Sequence, residues 1–76
     1  MYYTYFIRNT RNGSTYIGYT DDLERRLKEH SEKSPELIYY EAYKDKKDAQ
    51  NRERKLKQRG QAIRWLKGRL KHSLEL

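Results

Sequence analysis

The chain has 76 residues, a formal net charge of +7, a pI near 9.7 and no cysteine. A chain this short admits one domain with a thin core, so residues 1–76 are read as a single domain. Disulfides and thiolate zinc sites are excluded, and two histidines, His30 and His72, are too few for the usual zinc arrangements.

Residues 2–7, Tyr-Tyr-Thr-Tyr-Phe-Ile, are aromatic or β-branched and predict a strand. Asn12-Gly13 predicts a two-residue type I′ hairpin turn, with residues 14–19 as the return strand. Thr20 or Asp21 is the expected cap of a first helix running to about Lys33, with Glu24–Lys28 and Arg25–Glu29 as i,i+4 ion pairs on its outer face. Ser34-Pro35 breaks the pattern, and residues 37–43 form a third strand. A second helix is expected over 46–58, stopped by Gly60. A last helix follows over 61–72, with Ala62, Ile63, Leu66 and Leu70 on one face. The order β-β-α-β-α-α predicts an α+β fold, a small three-stranded antiparallel sheet flanked by helices.

The charge is unevenly placed. Residues 1–43 carry six Lys/Arg against seven Asp/Glu, and residues 44–76 carry twelve against four. The C-terminal half is therefore strongly basic, and a polyanion is its natural partner. No stretch approaches the roughly 20 apolar residues of a membrane span. The first residues also lack the basic start and apolar run of a signal peptide, so a cytoplasmic protein is expected.

Three features stand out as candidate chemistry. Glu53 lies in the row Ala49, Glu53, Leu56, which should face the sheet. A carboxylate there needs an arginine, a metal ion or a shifted pKa. Arg26 and His30 border the inward face marked by Leu23 and Leu27. There Arg26 either presents a fork to a phosphate or snorkels, and His30 is either a site residue or a satisfied core histidine. Finally, a two-residue turn pairs positions whose numbers sum to 25, so Tyr5 would face Thr20 and Tyr16 would face Asn9. Tyr3, Tyr5, Tyr16 and Gly18 then share one face. Gly18 inside a strand signals a bulge, a close approach or room for a turn.

Together these residues resemble the GIY-YIG nucleases. The second signature triplet stands as Tyr16-Ile17-Gly18, and Tyr3-Thr4-Tyr5 occupies the place of the first, keeping its terminal tyrosine. Residues 18–30 are similar to the motif of the family's catalytic helix, which puts the catalytic arginine at Arg26 and its accompanying histidine at His30. Residues 48–57 are similar to the later helix, with the metal-binding glutamate at Glu53. The resemblance covers nearly the whole chain and is closest to small stand-alone bacterial members. Residues 54–76 contain no asparagine, whereas many members have one after the glutamate.

The resemblance implies an endonuclease that hydrolyses DNA phosphodiester bonds with one Mg²⁺ or Mn²⁺. Glu53 would hold the ion, Tyr5 or Tyr16 would take the proton of the attacking water, Arg26 would stabilise the phosphate oxygens, and His30 would orient a tyrosine or touch the phosphate. Arg54, Lys55, Lys57, Arg59, Arg64 and Lys67 would track the DNA backbone, giving affinity without sequence choice. A structure-selective or non-specific enzyme is the expectation, with a role in repair or recombination and a protein partner for targeting. The competing reading is a non-catalytic nucleic-acid-binding module that keeps the fold, and a further one is a domain that docks an acidic protein.

Overall fold

The computed structural model of the chain describes residues 1–58 and 60–75, with Lys33 described by its backbone alone. Three strands and four helices follow in the order β1 (Tyr2–Asn9), β2 (Thr15–Thr20), α1 (Leu23–Glu29), β3 (Pro35–Tyr43), α2 (Lys46–Lys57), α3 (Gln61–Arg69) and α4 (Lys71–Glu75). The sheet is antiparallel throughout, in the order β2-β1-β3, as the α+β reading expected.

The two faces of the sheet are covered differently. Even-numbered β1 residues face α2: the Thr4 hydroxyl donates to the Ala49 carbonyl at 2.6 Å, and Phe6 packs with Leu56 and Leu66. Ile17 and Tyr39, cross-strand partners of Phe6, join this core, as do Ile63 and Leu70 of the C-terminal helices. Odd-numbered β1 residues face the other way, toward α1. β3 opposes Phe6 with Tyr39 and Ile7 with Leu37, so Ile38 is an extra residue. This bulge lets Ile38 and Tyr39 both pack on the α2-side core.

The hairpin differs from the sequence expectation. Pairs sum to 23, with Tyr5 opposite Gly18 and Ile7 opposite Tyr16. The connection is a longer loop, Thr10 to Gly13, closed by Asn9 N–H to the Ser14 carbonyl at 2.7 Å and Gly13 N–H to the Asn9 carbonyl at 2.8 Å. Gly13 has φ +76, but Asn12 does not share the positive φ that a type I′ turn requires at both central positions. The Asn9 side chain accepts from the Arg11 amide at 2.8 Å, an Asx turn that accommodates the two extra residues of the loop. A shift of two keeps each residue on its face, so Tyr3, Tyr5, Tyr16 and Gly18 still share one.

Helix boundaries differ too. The cap of α1 is Asp22 rather than Thr20 or Asp21; its carboxylate accepts from the Arg25 amide at 3.0 Å, while Thr20 Oγ1 accepts from the Asp22 amide at 3.1 Å. The expected pairs Glu24–Lys28 and Arg25–Glu29 form at 3.8 and 3.7 Å. α1 ends at Glu29, well before Lys33. A 3-10 turn over Ser31–Lys33 follows, and Ser34 adopts φ 47 before β3 begins at Pro35. The expected last helix is divided at Leu70, where φ −100 and ψ 17 interrupt the regular turn. Gly60 is the extended residue that opens α3; α2 ends at Lys57, with Gln58 as its extended cap.

Candidate active site

The centre of the α1-facing side is the Tyr5 phenol. Tyr5 is 3 % exposed, and its ring lies over Gly18 so closely that a Cβ at that position would overlap the phenol carbon and oxygen. Gly18 therefore marks a close approach by a side chain rather than by backbone, and no bulge occurs there. Arg26 Nε donates to the Tyr5 hydroxyl at 3.2 Å, and His30 Nε2 stands 3.4 Å from the same oxygen, with the imidazole tilted 59° to the phenol ring.

The i,i+4 spacing of Arg26 and His30 brings both to one phenol because α1 is capped by Asp22 and lies across this face. Arg26 also donates to Glu29 at 2.9 Å. Hydrogen bonds from Arg26 to Tyr5 and Glu29 strengthen the guanidinium's hold on its proton above the ordinary arginine value. Arg26 and His30 are both partly exposed, so the cluster is a buried phenol reached by two half-exposed cationic or polar groups. Arg26 and His30, each open to two readings from sequence, are thus brought together on the Tyr5 hydroxyl.

Tyr16 shares the Tyr5 face, opposite Ile7, and is 40 % exposed. Glu53 stands on α2, the helix covering the other face. Its row behaves as expected on either side, with Ala49 and Leu56 buried, but the Glu53 side chain is 24 % exposed and pairs with Lys57 at 3.3 Å rather than with an arginine. Tyr19, opposite Thr4, is on the sheet face that α2 covers. Burial, then Asp21, Tyr2 and Glu53, raise the Tyr19 phenol above its ordinary pKa.

Among the described residues, no three His, Asp or Glu side chains converge to hold a metal ion. Of the basic residues assigned to nucleic acid, Arg54, Lys55, Lys57, Arg64 and Lys67 are exposed, and Arg59 lies outside the described residues.

Sequence reasoning missed Glu41. Its carboxylate accepts from Tyr39 at 2.9 Å, from Tyr43, and from Arg52 Nε at 3.0 Å. Burial opposes ionisation, but these donors outweigh it and hold Glu41 below the usual carboxylate range. The Tyr43 phenol is pushed up to about 12 by burial and by Glu41. The signal was present: Tyr39, Glu41 and Tyr43 alternate along β3, which puts a carboxylate among phenols on the covered face. The pair with Arg52 pins α2 one residue before Glu53.

Residues 1–67 match the family model described as the GIY-YIG catalytic domain. The chain belongs to the GIY-YIG nuclease superfamily. It is also 33 % identical to a UPF0213 protein of Clostridium perfringens, over 70 % of this chain and 67 % of that one. No solved structure matches the chain. Membership implies a nuclease domain with DNA as its substrate class, and GIY-YIG nucleases are generally metal-dependent. No helix of the described residues is long and apolar enough to cross a membrane.

Proposed function

We propose that the chain is a metal-dependent endonuclease hydrolysing DNA phosphodiester bonds, structure-selective or non-specific, acting in DNA repair or recombination in the cytoplasm with a protein partner for targeting. The observation that carries this reading is the buried Tyr5 phenol held by Arg26 Nε at 3.2 Å with His30 beside it. The guanidinium fixes the position of the phenol oxygen, and a proton acceptor for an attacking water must first be positioned.

The donor set fits a single Mg²⁺ or Mn²⁺. Glu53 is partly exposed, and its counter-ion Lys57 is a solvent-facing i,i+4 partner worth only about 0.3–0.5 kcal/mol, so the carboxylate is readily given up to a divalent cation. Magnesium is commonly held by one or two carboxylates, with waters and substrate phosphate filling its remaining positions. When bound, the ion supplies a Lewis acid at the phosphate. The chain's own residues do the rest. Glu53 would hold the ion, Arg26 would bind the non-bridging phosphate oxygens through the donors not engaged by Tyr5 or Glu29, Tyr5 or Tyr16 would accept the proton of the water, and His30 would orient the Tyr5 hydroxyl. Arg54, Lys55, Lys57, Arg59, Arg64 and Lys67 attract the backbone.

The test compares cleavage of supercoiled, branched and single-stranded DNA by wild type and by Glu53→Gln, with Mg²⁺ or Mn²⁺. Cutting by wild type that falls at least about 100-fold in the variant, with DNA binding retained, is the expected result. Absence of cutting by either, with salt-sensitive binding by both, favours the non-catalytic binding module instead.

A further inference from the structure

The single tryptophan has no place in the hydrolytic site, yet Trp65 is 66 % exposed in the middle of α3. Leu66, its neighbour, is buried, so α3 turns one side to the core and carries Trp65 on another. Around the helix, Trp65 stands next to Gly68 and Arg69 at i+3 and i+4. Gly68 is an anomaly of its own. A glycine inside a helix costs about 0.5–1 kcal/mol relative to alanine, and a Cβ at Gly68 would meet nothing within 4 Å. Packing does not require it. What it provides is open space beside the indole.

The surroundings identify what could enter that space. Arg64, Gly68, Arg69 and Arg52 line a depression with Trp65. That depression shares Arg64 with a second, which shares Ile63 and Lys67 with a third. The third shares Lys57 and Gln58 with the depression containing Glu53. Depressions that share lining residues thus succeed one another from Glu53 to Trp65. Among the described residues no carboxylate pairs with Arg64 or Lys67 along them. Positive charge tracking a strand, with an exposed aromatic face beside it, is the chemistry that binds unpaired nucleic acid. Phosphates meet the cations, and a base stacks on the ring whatever its identity.

We infer that Trp65, in the space left by Gly68, is a stacking site for an unpaired base of the nucleic-acid substrate, reached along Lys57, Lys67 and Arg64. This rests on the nuclease reading and deepens it by naming single-stranded or splayed DNA as the preferred substrate class.

Because Trp65 is the only tryptophan, its fluorescence reports the event directly. The measurement is made with EDTA present, so that binding is read without cleavage. The ligands are oligothymidylate of about 12 nucleotides and a blunt duplex of the same length. Oligothymidylate is expected to quench the indole saturably and more strongly than the duplex. By anisotropy of a labelled oligothymidylate, Trp65→Ala should bind about 5- to 100-fold more weakly, Trp65→Phe should recover most of the affinity, and Gly68→Leu should weaken it while the fold persists by circular dichroism.

Equal quenching by strand and duplex overturns the inference, as does Trp65→Ala affinity within about twofold of wild type. If DNA is cut in a Glu53-dependent manner while the indole ignores oligothymidylate, only this inference falls. If oligothymidylate stacks but nothing is cut, only the catalytic reading falls.

Discussion

Gly18→Ala tests how the fold builds the site. The added Cβ would occupy the volume of the Tyr5 phenol carbon and hydroxyl, and Tyr5, at 3 % exposure, has little room to withdraw. Overpacking of this kind costs about 1–3 kcal/mol. For a domain of this size each kcal/mol lowers Tm by about 4–8 °C, so a cost near 2 kcal/mol corresponds to a fall of about 8–16 °C by circular dichroism. The ring must also leave Arg26 Nε and His30, so cleavage at a temperature where the variant is folded should fall by at least about tenfold. A double variant separates the steric cause from any effect of alanine on the strand. Tyr5→Leu removes the ring, and in that background Gly18→Ala should cost less than about 0.5 kcal/mol, giving a coupling of more than about 1 kcal/mol. Equal costs in both backgrounds, or a single variant within about 2 °C of wild type, would refute the steric argument.

Two further predictions concern the Tyr43–Glu41 pair of β3 and the cap of α1. Tyr43→Phe removes a donor to Glu41, and its effect depends on pH. The folded-state phenol titrates at about 12, against about 10 for a free tyrosine, so its stabilisation is complete below pH 10 and disappears as pH rises through the folded value. The Tm gap between wild type and Tyr43→Phe should therefore shrink as pH is raised from about 10 to 12, and a constant gap would contradict the assignment. Glu41 shows the opposite sense. Its carboxyl is held low, so its contribution is present above the ordinary carboxylate range and is lost as pH falls through the folded value. Asp22→Ala removes the cap of α1 and should cost about 1 kcal/mol. It should also lower cleavage while leaving DNA affinity nearly unchanged, because α1 carries Arg26 and His30 but little of the basic surface; a chain with weaker binding and unaltered turnover would show the reverse.

The elements were legible because their signals are local. Alternation and aromatic content marked the strands, and Pro35 marked the break after α1. Boundaries were harder to read wherever a side chain competes with the backbone. Asn9 folds the longer hairpin loop through its side-chain oxygen, and Asp22 took the cap that Thr20 and Asp21 also resembled. Arg26 and His30 were legible as neighbours from their spacing alone. Their common partner was not, because a contact between Tyr5 and α1 spans more than 20 residues and no local pattern encodes it. Glu53 stood out as a carboxylate in an apolar row, but its partial exposure and its pairing with Lys57 depend on where the helix ends. Glu41 was not legible because the alternation of Tyr39, Glu41 and Tyr43 on β3 does not by itself say which face of the sheet α2 covers.

The register of β1 against β2 links these observations. Three registers keep Tyr5 on its face while placing it opposite Tyr16, Gly18 or Thr20, since only shifts of two preserve the faces. The two-residue turn would select Thr20, yet Tyr5 lies flat over the residue opposite it, and both Tyr16 and Thr20 would put a side chain beneath the phenol. Gly18 alone leaves that volume empty, and it is the observed partner. The glycine of the second signature triplet thus selects the strand register, and the loop of Thr10 to Gly13 adapts to it. The next residue, Tyr19, faces the other way, toward the side covered by α2, the helix that carries Glu53. One peptide unit of an edge strand therefore relates the two parts of the proposed site: Gly18 seats Tyr5 beside Arg26 and His30 on one face, and Tyr19 lies on the face covered by the helix of Glu53.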